Sequence, residues 1–228
     1  GVLFRFCSFR GGRCLLLSFY FKFCECKVII ITFASMKKIL VIDNYDSFVF
    51  NIVQLLREAP EVPQFDIVHN DCIDFSKLEE YGGLLLSPGP GVPSEAGELN
   101  SLIKKCVYSH SMLGICLGHQ AIAEVFGAGL LNMPFPLHGH HSVLTQVGEG
   151  DPLLYGMEGQ VVVGRYHSWV VNSEDFPQDL QVTSVDEAGN IMSLKHRQLP
   201  IFGVQYHPES YMSNCGKCLI SNWLNTVI

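Results

Sequence analysis

Residues 113–120 read LGICLGHQ, with one thiol, Cys116, between Gly114 and Gly118. An apolar run ends at Ile115 and a helix-forming run begins at Gly118, so the cysteine falls where a strand must turn into a helix. A G-x-nucleophile-x-G turn at such a junction is sharp, and its glycines remove side chains that would collide across it. The turn lifts the sulfur to the carboxyl end of the sheet, and the helix behind it favours the thiolate. Taken alone, the pentapeptide fits a buried core cysteine equally well. A thiol nucleophile needs a base, and the base needs an orienting group. Residues 203–210, GVQYHPES, hold both. Pro208 biases His207 toward extended backbone, and residues two apart in extended chain point the same way, so Glu209 can reach the imidazole. In isolation the same segment also reads as a loop histidine beside a surface glutamate. Attack on a carbonyl also requires donors for an oxyanion. The Gly-rich segment SPGPGVP, residues 87–93, leaves a strand end with a backbone that a ligand can approach. The amide of Leu117 and one from the loop of Gly89, Pro90 and Gly91 are the candidate donors. A plain turn is the alternative. A phosphate-holding loop would lack the Lys and Ser/Thr of a nucleotide P-loop.

These pieces need a scaffold. Residues 39–42 are a short continuous apolar run of the kind buried on both faces of a parallel sheet. A helix follows, with Asp46 or Ser47 expected as its cap and a stripe at Phe48, Val49, Ile52, Val53 and Leu56. Further strands are expected at 65–68, 84–86 and 112–115, with a helical face at Leu99, Leu102, Ile103, Cys106 and Val107 between the last two. Alternating strands and helices predict a parallel sheet. After residue 130 the runs SVLTQV, QVVVGRY, LQVTSV and NIMSLKH follow one another without long helices, and DEAGN between the last two predicts a hairpin. IFGVQYH is one more strand, and Leu219, Ile220, Trp223, Leu224 and Val227 mark a closing helix. The expected fold class is therefore α/β: an open, mainly parallel central sheet flanked by helices, with an antiparallel portion in the second half.

Composition bounds the function. With 48% hydrophobic and 16% charged residues, the chain has the makings of a folded core rather than of a disordered segment. Residues 1–35 carry a net charge of +4 and residues 36–228 a net charge of −11. The acidic part repels phosphate backbones, which argues against a nucleic-acid partner and for a small metabolite or another protein. Four of nine cysteines, Cys7, Cys14, Cys24 and Cys26, lie in the first 35 residues and the others are scattered. No disulfide framework is implied, and a reducing cytoplasmic setting fits best. Residues 1–35 mix apolar runs with isolated cations. A secretory leader or membrane anchor is one reading. Lys22, Glu25 and Lys27 interrupt the run before it reaches the ~18 residues of a spanning helix. The expectation is a non-native or poorly ordered extension, with the domain occupying 36–228.

The motifs DNYDSF, SPGPGVPSEAG, GICLGHQ, RYHS and GVQYHPES, in this order, resemble those of the class I, triad-type glutamine amidotransferases across essentially all of 36–228. The nearest resemblance is to the glutamine-hydrolysing small subunit shared by anthranilate synthase and aminodeoxychorismate synthase. The resemblance implies a Cys-His-Glu triad. Cys116 would form a glutamyl thioester, His207 would protonate the departing ammonia and then activate water, and Glu209 would hold His207. Gly89, Pro90, Gly91 and Leu117 would frame the oxyanion, and Gln120, Ser168 and Trp169 would hold L-glutamine, partly through main-chain groups. It implies no cofactor and no metal, and a heteromeric complex with a chorismate-using large synthase subunit, without membrane or nucleic acid. Trp169 stands where the family usually has Leu, Tyr206 where it has Phe, and His140 where Lys is common.

Other signals are weaker. His138, His140 and His141 lack a fourth ligand at zinc spacing and read as a solvated loop. Cys215 and Cys218 have redox spacing but open the closing helix, so they read as helix packing. Phe126 and Phe135 are expected in the core. Asp43, Asn44 and Asp46 fit either substrate contact or capping of the first helix. Two other functions share these residues: a stand-alone γ-glutamyl thiol hydrolase, and a regulatory subunit with an idle triad.

Overall fold

A computed structural model of the 228-residue chain describes residues 3–10, 13–20 and 38–227. The chain divides into two units, Gly1–Ser35 and Met36–Ile228. In the first, β1 (Leu3–Arg10) pairs antiparallel with β2 (Arg13–Tyr20), from Leu3 opposite Tyr20 to Arg10 opposite Arg13. The sequence reading anticipated no strands there. The rest of that segment, and the expected domain start at Met36, lie outside the described residues.

The second unit begins with β3 (Lys38–Asp43), α1 (Val49–Arg57), β4 (Phe65–His69), β5 (Tyr81–Leu86), α2 (Leu99–Cys106), β6 (Ser111–Ile115) and α3 (Leu117–Val125). It continues through β7 (Leu130–Val143), β8 (Thr145–Gln146), β9 (Val162–Val171), β10 (Leu180–Val185), β11 (Ile191–His196), β12 (Ile201–Val204) and α4 (Gly216–Leu224). Eight strands form one sheet in the order β4-β3-β5-β6-β12-β11-β10-β8. Neighbours from β4 to β12 run parallel, and β11, β10 and β8 extend the sheet by antiparallel pairing. β7 and β9 form a separate antiparallel ribbon.

Why the apolar runs are continuous follows from what covers them. β5 and β6 are buried along their whole length. Successive side chains in a strand point to opposite faces, and the core divides accordingly. Ile39, Val41, Leu85, Leu113 and Ile115 face α1 and α4, meeting Ile52, Leu56, Leu219 and Trp223. Leu40, Ile42, Leu84, Leu86 and Met112 face α2 and α3, meeting Leu99, Leu102, Ile103, Ala121 and Ile122. The four buried side chains of α1, Val49, Ile52, Val53 and Leu56, each contribute about 1.5–3 kcal/mol by leaving water.

Three local expectations need correction. α1 starts after Phe48, with no side-chain cap on its first turn; Asp46 accepts the Phe48 N–H one residue earlier, at 2.7 Å. Phe135 is 79% exposed rather than in the core, because it lies on the ribbon, away from the main sheet. His138, His140 and His141 are solvated as expected, but they occupy β7 rather than a loop. Phe126 is half-buried against the α2–α3 core.

Candidate active site

Cys116 occupies the junction between β6 and α3 with φ 51° and ψ −99°. A side chain in this region costs about 1–3 kcal/mol and persists only where its surroundings impose it. Here they do. The Cys116 N–H donates to Val204 of β12 at 2.8 Å, and its carbonyl accepts from Gln120 of α3 at 3.1 Å. A Cβ on Gly114 would meet the carbonyl of Gly118, and a Cβ on Gly118 would meet that of Leu86. Only glycine lets helix and strand approach so closely.

His207 follows the end of β12 and is 2% exposed. Its backbone N–H donates to Gly164 of β9 at 3.0 Å, and its carbonyl accepts from Ser213 Oγ at 2.6 Å. Glu209 Oε1 lies 2.6 Å from Nδ1, so the carboxylate accepts that N–H. Phe48 and Tyr166 set their rings edge-on to the imidazole at 5.4 and 5.1 Å. Nε2 is buried and, among the described residues, has no hydrogen-bond partner within normal geometry. Burial opposes charge on this imidazole, but the Cys116 sulfur and the Glu209 carboxylate, the latter hydrogen-bonded to Nδ1, outweigh it and raise the pKa.

That direction sets a pH window. Because the folded-state pKa lies above the ordinary 6.5, stability from the charged imidazole is complete below about pH 6.5 and is lost as pH rises through the folded value. In Cys116→Ala the foremost raising partner is gone. His207 is then expected to titrate at lower pH than in wild type, measured by NMR of the imidazole resonances; an unchanged midpoint would mean that sulfur and imidazole do not interact.

A cavity of about 190 Å³ lies over the thiol. Gly89, Pro90, Gly91, Gln120, Ser168 and Trp169, the residues expected to frame glutamine, line it together with Cys116. A Cβ on Gly89 would meet Asn44 Cβ and Leu117 Cδ2, each at 2.6 Å, so the loop lies tight against the start of α3. Leu117 lines a neighbouring hollow with Asn44 and Asn70 rather than this cavity. Asn44 donates to the Ser87 carbonyl at 2.8 Å, while Asp43 accepts the Tyr45 N–H at 2.8 Å. The DNYDSF segment thus braces the Gly-rich loop.

Sequence reasoning missed His138, Tyr166 and His167, which complete the lining, as well as Phe48. Burial, and then the charge of Arg165, hold His167 down to about 3, so this ring is neutral. Arg165 Nε donates to its Nε2 at 3.1 Å, and its Nδ1 therefore donates to the Trp169 carbonyl at 3.0 Å. Arg165 in turn pairs with buried Asp186 at 2.6 Å. The clues were the RYHS motif itself and the period-two pattern of RYHSW, which places Arg165, His167 and Trp169 on one side of β9. His119, wholly buried in α3, is pushed down to about 4 by that burial. Tyr206 is also wholly buried, and burial raises its hydroxyl well above the ordinary value. Cys215 is buried at the start of α4, in keeping with helix packing.

A family model described as glutamine amidotransferase class-I matches residues 40–227. The chain belongs to this family. It is 40% identical over 190 residues to the aminodeoxychorismate/anthranilate synthase component 2 of Bacillus subtilis, covering 82% of this chain and 96% of that one. It is 41% identical over 191 residues to the anthranilate synthase component 2 of Mycobacterium tuberculosis, covering 82% and 81%. A solved structure from Thermoplasma acidophilum, provisionally assigned as a GMP synthase subunit, superposes with a TM-score of 0.72 at 27% identity, covering 84% of this chain and 94% of that one. Among the described residues, no helix is long and apolar enough to cross a membrane.

Proposed function

We propose that residues 36–228 form the glutamine-hydrolysing subunit of a chorismate-using synthase, acting in the cytoplasm. The observation that carries this reading is Cys116 on a positive-φ turn beneath an amino-acid-sized cavity, together with a buried imidazole whose Nδ1 is held by Glu209 and whose Nε2 is unpaired among the described residues. The thiolate attacks the side-chain carboxamide carbon of glutamine. The oxyanion that forms is met by the Leu117 N–H at the start of α3 and by backbone of the Gly89 loop. Collapse breaks the C–N bond, and His207 Nε2 gives its proton to the leaving nitrogen, so that ammonia departs and a glutamyl thioester remains. Nε2 then takes a proton from water as it adds to the thioester carbon. Loss of the thiolate yields glutamate, and the balance is glutamine plus water to glutamate plus ammonia.

The choice of a chorismate-using partner rests on the names of the relatives, several of them components of anthranilate or aminodeoxychorismate synthases. Ammonia released at Cys116 is to be passed to that large subunit, where it reacts with chorismate. The test is a glutaminase assay with and without the co-purified large subunit. Stimulation of about tenfold or more in the complex is the expected result. Partner-independent cleavage of γ-glutamyl peptides would favour a stand-alone hydrolase, and silence in both settings an idle regulatory subunit.

A further inference from the structure

Gln205 lies between the end of β12 and His207, has no exposed surface, and places its side-chain amide against the nucleophile. Its Nε2 is 3.6 Å from Cys116 Sγ, within reach for a hydrogen bond to sulfur. An amide can turn either face to a neighbour, and the rest of the network decides which. The Trp169 carbonyl can only accept. Gln120 must therefore present Nε2 to it, at 3.0 Å, and the same Nε2 donates to Gln205 Oε1 at 3.1 Å. With its oxygen turned to Gln120, Gln205 has only its N–H₂ for the sulfur. The anchor at Trp169 is held in turn by neutral His167, which donates to the same carbonyl at 3.0 Å. Both N–H groups of Gln120 are thereby committed, and its Oε1 is left as an acceptor for a ligand.

Resting on the proposed chemistry at Cys116, we propose that Gln205 is a further catalytic residue: it donates a hydrogen bond to the Cys116 thiolate, with a polarity imposed through Gln120 by the Trp169 carbonyl. The donor stabilises negative sulfur before attack and after the thioester is cleaved, the two moments at which the sulfur is charged. His207 holds and moves the proton, and Gln205 does not titrate, so the two groups divide the work.

The test uses the full chain and needs no glutamine. Alkylation of Cys116 by iodoacetamide is followed by mass spectrometry of the peptide containing it, across pH 6–10, in wild type, Gln205→Met, Gln205→Glu and Gln120→Met. At pH 7, Gln205→Met is expected to react about tenfold more slowly, the scale of one lost hydrogen bond to a charged acceptor. Gln205→Glu, which sets a carboxylate against the sulfur, should be slower still. Gln120→Met frees Gln205 to turn its oxygen to the sulfur and should fall between wild type and Gln205→Met. The difference between the variants should narrow toward the alkaline end of that range. Wild-type rates in Gln205→Met, or equal slowing at every pH, would overturn the assignment, and Gln120→Met carries the test if the Gln205 variants do not fold. A wild-type chain that alkylates readily but never releases ammonia from glutamine, with or without the large subunit, would instead sink the proposed function.

Discussion

Replacing Cys116 with Ala is expected to lower glutamine-dependent turnover by about four to six orders of magnitude, the scale seen when a nucleophile that works with its base is removed. Synthesis driven by added ammonium in the complex should persist, because this route bypasses the thiol. Loss of both activities would mean that the chain contributes to the partner's chemistry directly. A companion variant separates chemistry from strain. Alanine in place of Cys116 would keep a Cβ at φ 51°, whereas glycine would not, so Cys116→Gly should be more stable than Cys116→Ala by about 1 kcal/mol by urea denaturation. Equal midpoints would show that the turn is not strained. Both variants should be equally silent toward glutamine.

The strain at Cys116 and the burial of the sheet have one origin, and that is why so much of the fold was legible. β5 and β6 must be apolar along their length because helices cover both faces, and runs such as 39–42 announce this locally. The nucleophile turn was legible because its glycines answer to contacts between neighbouring elements: Gly118 against Leu86, Gly114 against Gly118. His207 and Glu209 were legible because they sit two residues apart. What the sequence hid are contacts made across long separations. Phe48, just before α1, and Tyr166 of β9 both reach His207, and Gln205 meets Gln120 from 85 positions away. No periodicity encodes such pairs.

The ribbon was hidden for a different reason. β7 contains Pro134, Pro136 and Gly139, residues that weaken a strand pattern and that occur on edges and at bulges. The structure has register shifts between Asn132 and Leu137 and between His138 and His140. Among the described residues β7 pairs only with β9, so its prolines interrupt no central ladder there, and Phe135 is left 79% exposed. Reading Phe135 as core assumed that a large apolar side chain in a folded domain finds a second layer to pack against. The same ribbon carries His138 to the cavity wall, so the segment hardest to read also borders the site.

The buried pair behind the site should show an asymmetry. Asp186→Asn is expected to destabilise the fold by about 3–5 kcal/mol, since it leaves the Arg165 guanidinium buried without its counter-charge. Arg165 is 3% exposed, and its other bonds are to Ser142 Oγ and neutral His167, neither of which carries charge. Whichever way the substituted amide turns, its N–H₂ group meets donors: either Arg165 Nη1 and Asn190 Nδ2, which now meet Asp186 Oδ2 at 2.6 and 2.7 Å, or the Ala188 and Asn190 backbone N–H groups, which now meet Oδ1 at 2.9 and 2.7 Å. Arg165→Met should cost less, about 1–3 kcal/mol, because the carboxylate keeps the Ala188 N–H, the Asn190 N–H and the Asn190 side chain, at 2.9, 2.7 and 2.7 Å. With typical domain stabilities of about 5–15 kcal/mol, the first change approaches unfolding and the second does not. Arg165→Met should nonetheless raise KM for glutamine more than it lowers kcat, because His167 loses the donor that fixes its tautomer, and the Trp169 carbonyl loses a firm anchor. Urea denaturation of both variants and steady-state glutaminase kinetics of Arg165→Met read the two halves separately. Equal destabilisation by both would mean that the pair acts as packing rather than as charge.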